Sequence, residues 1–139
     1  MTLWIVGVAA GLTIASVAAQ AHHSIAGVYD SGREATVDGV VTQFQFVSPH
    51  PFVDVRDGRT AQTWRLEMDN RRELEDIGLT ADTLKPGDRI VVIGSLARRE
   101  ANRMYVRRLD RPADGFSYEQ VGNSPRIRTP AHVPSTGQR

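Results

Sequence analysis

The chain offers four imidazoles, His22, His23, His50 and His132, and no cysteine among its 139 residues. With no thiolate available, imidazole nitrogen is the side-chain donor expected to carry a transition-metal site. His22 and His23 directly follow Ala19-Gln20-Ala21, an A-x-A pattern of the type cut by signal peptidase. Cleavage after Ala21 makes His22 the first residue of the mature protein. Its α-amine and its own ring Nδ1 then form a chelate, and one further imidazole completes a T-shaped set of three nitrogens. Such a histidine brace suits Cu(II). His50 stands in Ser48-Pro49-His50-Pro51, where flanking prolines limit the freedom that binding would remove. It is the expected third ligand, with His23 as the competing donor. The same residues also read without metal: His22 and His23 as solvated terminal residues, His50 as a polar loop residue packed on an aromatic ring.

A second cleavage register gives different chemistry. Processing after Ala19 exposes Gln20-Ala21-His22, whose amine, two amide nitrogens and third-position imidazole enclose Cu(II) in a square plane without His50. Both registers depend on the segment 3–21, LWIVGVAAGLTIASVAAQA, which carries no charge. Its strongly apolar part, Leu3 to Val17, is short and ends among small residues, as in a signal peptide. It lacks a basic leading region, and retention as an anchor is the alternative. The expectation is a signal peptide at 1–21, a periplasmic or secreted mature chain, and no stable membrane anchor after cleavage.

Other chemistries find little support. Absence of cysteine excludes disulfides, zinc–thiolate sites, iron–sulfur clusters and an N-terminal lipidated Cys. There is no G-x-S-x-G elbow, phosphate loop, H-E-x-x-H or dinucleotide fingerprint, and no readable carboxylate acid/base pair. An enzyme is not expected; an oxidative copper enzyme is a distant third reading. Net charge is +1, but it is unevenly spread. His22 to Asp88 holds 7 basic against 12 acidic residues, and Arg89 to Arg111 holds 7 against 2. The cluster Arg98, Arg99, Arg103, Arg107, Arg108 and Arg111 could meet an anion or an envelope protein. Only Tyr105 interleaves with it, so nucleic acid is not an expected partner.

The elements that must position these residues read as strands. In Glu34 to Val47, Val40, Thr42, Phe44 and Phe46 share one face by alternation, and Val41, Gln43, Gln45 and Val47 the other. The two prolines around His50 interrupt the pattern, and Phe52 to Arg56 resumes it. Asp57-Gly58-Arg59 marks a hairpin turn, and Gln62 to Met68 a third strand with Trp64, Leu66 and Met68 inward. Asn70 caps a short helix that runs through Ile77 and stops at Gly78, with Glu73 placed for a capping box. Leu84 to Asp88 is a turn. Strands follow at Arg89 to Ala97 and Met104 to Leu109.

The fold class is thus all-β with one short helix. The order β-β-β-α-β-β is that of a five-stranded OB-like barrel over residues 22–111, which also removes exposed sheet edges. An open sheet capped by the helix is the alternative. Beyond Arg111, prolines mingle with polar residues without periodicity. Residues 112–139 are expected to be a disordered tail, and a chain ending near Arg111 to fold as well as the whole.

These motifs together resemble a family of small exported bacterial proteins known only as a domain of unknown function. The matching residues are Ala21-His22-His23-Ser24, Gly39 to Val41, the Ser48-Pro49-His50 loop, Trp64 to Glu67, and Leu84 to Asp88. The likeness covers about residues 21 to 110. Ser48 stands where the pattern has Asn, and Phe46 near where it has Trp. The resemblance implies that His22, His23 and His50 belong to the family pattern, and it transfers no activity. The expected function is a small exported binding protein that holds copper through His22 and His50. The runner-up is a metal-free interaction module that uses the Arg-rich strands.

Overall fold

Seven strands form the sheet, where five were expected. A computed structural model describes residues 25–129. After a helical turn at 25–28 come β1 (Tyr29–Gln45), β2 (Phe52–Asp57), β3 (Thr63–Glu67), helix α1 (Arg71–Asp76), β4 (Arg89–Ala97), β5 (Arg103–Arg111), β6 (Phe116–Val121) and β7 (Ser124–Arg128). Their order in the sheet is β3-β2-β1-β4-β5-β6-β7. All neighbours run antiparallel except β3 and β5, which pair in parallel through Arg65–Arg103, Leu66–Met104 and Glu67–Tyr105. That last pairing partly closes the first five strands into a barrel of OB order. Among the described residues no helix is long and apolar enough to cross a membrane.

β1 is bent because it serves two neighbours: residues 29–40 pair with β4 and residues 39–45 with β2. A register shift between Val41 and Gln43 lets two residues of β1 face one of β2. The shift also corrects the alternation expected from the sequence. Val37 and Val41 are buried, Val40 is 41% exposed, and Phe44 and Phe46 join the core only beyond the bulge. A strict period of two therefore gives the wrong face on one side of any bulge.

β4 and β5 meet closely at Gly94. A Cβ there would lie 2.6 Å from the Tyr105 carbonyl oxygen and 2.7 Å from Met104 Sδ. This bare position coincides with the register shift between Ile93 and Gly94. Glycine allows the approach that lays Tyr105 beside the site described below.

Asn70 caps α1 as expected, its side chain accepting from Arg72 N at 2.9 Å, and Gly78 follows the helix with φ +99°. The short helix sends Leu74 into the barrel, where Leu79 and Leu84 also lie.

The expected tail is corrected through Arg128. β6 pairs with β5 over residues 108–111, and β7 pairs with β6. Phe116 and Tyr118 are buried in the main core, with Ile127 against it. Alternating aromatics behind the Asp114-Gly115 turn drive this hairpin, and Pro125 is tolerated because β7 is an edge strand. The remainder of the expected tail, 130–139, lies outside the described residues, as does the expected signal segment.

Candidate functional site

β5 is the strand on which the site is built. On the side away from β4, β3 accompanies it as far as Tyr105, and β6 takes over from Arg108. Val106 and Arg107 fall in the gap between them. The chain ends of β3 and β6 approach each other there, and Gln120 Nε2 donates to Asp69 Oδ2 at 2.7 Å across the seam. A cavity of about 450 Å³ opens over this seam. The loop between β1 and β2 contributes His50, the start of α1 contributes Asn70 and Glu73, and β5 contributes Tyr105 and Arg107. Ile25 and Ala26, at the start of the described chain, line it as well.

His50 is 8% exposed, and its Nδ1 lies 3.1 Å from the Met68 carbonyl oxygen. A carbonyl only accepts, so this bond places the proton on Nδ1 and leaves the Nε2 lone pair for a ligand. Glu67 Oε1 is 3.6 Å from the same Nδ1. The other oxygen of Glu67 accepts from the Tyr29 hydroxyl and from Arg103, the latter at 2.9 Å. Arg103 is itself held by Glu100 at 2.7 Å and donates to the Tyr29 oxygen at 2.8 Å. A carbonyl and a carboxylate on one ring nitrogen form the support commonly found behind metal-ligating histidines.

The tyrosines around the site stay protonated. Burial, then the neighbouring Glu67 carboxylate, pushes the Tyr29 hydroxyl well above its ordinary range. Burial and Asp69 do the same for Tyr105. For Tyr118 burial is the main cause, and its hydroxyl donates to Gln120 at 2.7 Å. Burial opposes the charge on Arg103, but its bonds to Glu100, Glu67 and Tyr29 outweigh that and hold its pKa up.

Of the sequence-expected ligands, His50 alone lies among the described residues, buried at the cavity wall with Nδ1 against the Met68 carbonyl. His22 and His23 lie outside the described residues. Among the described residues no group of three or more His, Asp or Glu side chains is placed to hold a metal ion. Four of the six arginines of the expected cluster already face carboxylates. Arg103, Arg108 and Arg111 each face a carboxylate within 3 Å, and Arg98 has Asp30 at 3.5 Å. Neighbouring residues of a strand also point to opposite faces.

A family model for proteins of unknown function, DUF6152, matches residues 10–105. The chain belongs to the DUF6152 family. No curated protein and no solved structure matches it. The stretch matched as DUF6152 runs through His22, His23 and His50 and stops at Tyr105. Arg107 and Gln120 come from the part of the chain beyond it. Sequence reasoning missed the network of Tyr29, Glu67 and Arg103 and the pairing of Asp69 with Gln120. The signal available was weak: a Tyr and an Arg placed to meet Glu67, from positions 38 and 36 residues away.

Proposed function

We propose that this DUF6152 member is an exported, periplasmic or secreted binding protein that holds a copper ion through His22 and His50, with His23 as the alternative donor. The observation that carries this reading is the placement of His50 in the cavity that Ile25 also lines. Ile25 is three residues from His22, and three residues span at most about 10 Å. A chain beginning at His22 thus starts within about 10 Å of a residue that lines the cavity holding His50. The anchored Nδ1 adds support, because a fixed tautomer and ring orientation reduce what binding must organise. The set of donors, all nitrogen, favours Cu(II) over harder divalent ions.

Two linked measurements test the reading. The intact mass of protein from a periplasmic extract should equal that of a chain beginning at His22. Titration with Cu(II) against a competing chelator should then show one site, which is lost when the amine is acetylated. Retention of Met1, or equal copper affinity in the acetylated chain, contradicts it.

A further inference from the structure

Among the described residues, Arg107 is a cation on the cavity wall with no ion-pair partner. Its Nε donates to Ser95 Oγ at 3.1 Å, and its guanidinium carbon lies 5.2 Å from the centre of the Tyr105 ring. Ser95 and Tyr105 are both buried, and these two residues fix the guanidinium plane. Among the described residues no carboxylate lies within ion-pair distance of Arg107, and no acceptor meets its terminal nitrogens.

The other charged groups on the cavity walls have hydrogen-bond or electrostatic partners of their own. Asp69 accepts from the Asn70 amide and from Gln120, both at 2.7 Å, and from the Tyr105 hydroxyl. Arg98 donates to the Ala26 carbonyl and lies 3.5 Å from Asp30. Glu73, at the exposed rim, has interactions of its own. What is left is a planar fork of N–H donors, held half-buried over a ring and turned toward open space. A guanidinium partly removed from water loses solvation, and a bidentate anion restores it.

We propose that the cavity receives a small oxyanion of the carboxylate or phosphate class, bound by the terminal nitrogens of Arg107. The volume of about 450 Å³ is within the range of small-molecule sites. Gln120 and Asn70, which also line the cavity, add neutral polar groups to its wall. The anion site stands independently of copper, since Arg107 is held by Ser95 and Tyr105 alone.

The test uses the full mature chain, metal-free and acetylated at its amine, so that failure of the copper reading cannot affect the result. Its Arg Nε–Hε resonances and the backbone amide resonances of the cavity residues are followed by ¹H–¹⁵N NMR during separate titrations with inorganic phosphate and with succinate, at constant ionic strength. The amides read the variants that lack the Arg107 side-chain signal. The Arg107 signal should shift saturably at millimolar or lower concentration with at least one anion, and the better of the two names the class. Arg107→Gln should weaken that binding by about tenfold or more, and Arg107→Lys by less, because it keeps the charge and loses the fork. Arg107→Lys also guards against a folding defect in the neutral variant. The surface change Arg99→Gln should leave binding as it was. Absence of saturation with both anions, or equal binding by Arg107→Gln and the wild type, overturns the proposal.

Discussion

Glu67 meets Tyr29, Arg103 and His50 at once, so its replacement separates charge from shape. Glu67→Gln keeps the volume but weakens every bond at the carboxylate and leaves Glu100 as the one carboxylate among the described residues paired with Arg103. Hydrogen bonds to charged groups contribute about 1.5–3 kcal/mol each, and this loss should lie in that range on chemical denaturation. Glu100→Gln removes a more exposed partner and should cost less than about 1 kcal/mol. A second residue-scale expectation concerns acid. The Arg59 and Thr60 amides hold the Asp57 carboxyl below its usual range, and Arg111, with the Phe116 amide, does so for Asp114. Groups with depressed folded pKa values stabilise the protein above the ordinary carboxylate range, near pH 4, and that contribution fades as pH falls through the folded value. Denaturation midpoints measured downward from pH 6 should therefore fall, and Asp57→Asn should fall less steeply. His50 could be picked from the sequence because prolines flag its loop. Its partners could not, because nothing local in Tyr29 or Arg103 announces a carboxylate some three dozen residues away.

At the scale of elements, strand count and face assignment parted from expectation for separate physical reasons. The bulge after Val41 reverses the inward face within one strand, and alternation carries no marker for the extra residue. The β6–β7 hairpin was hidden by its prolines and polar residues, although Phe116 and Tyr118 two residues apart already had the period of a strand. Tyr118→Ala should cost about 3–5 kcal/mol, the usual loss for emptying a large buried aromatic site. A chain ending at Arg111 should melt far below the full mature chain, as differential scanning calorimetry would show; equal melting temperatures would mean the hairpin adds nothing to the core. Gly94→Ala places a methyl group against the Tyr105 backbone and should cost about 1–3 kcal/mol, read from the same denaturation curves. The helix was legible because its signals are local: an Asn cap, one buried Leu74 and a glycine stop.

For the molecule as a whole, the order of three strands, helix and two strands carried the barrel topology, since only the β3–β5 pairing had to be added to close it. The added hairpin helps form the candidate cavity, because β6 approaches the end of β3 and frames the gap over Val106 and Arg107. The expected ligand set is divided between a buried loop histidine and a terminus just upstream of the described chain. One measurement tests that division most directly: Cu(II) titration of His50→Ala against the wild type, both beginning at His22, with a competing chelator at fixed pH. Circular dichroism on both proteins confirms that the variant is folded. Loss of one of three nitrogens should weaken copper binding by about a hundredfold or more, in line with the effect of altering metal-site residues. Unchanged affinity in a folded His50→Ala protein would contradict the account, placing any copper at the terminus alone.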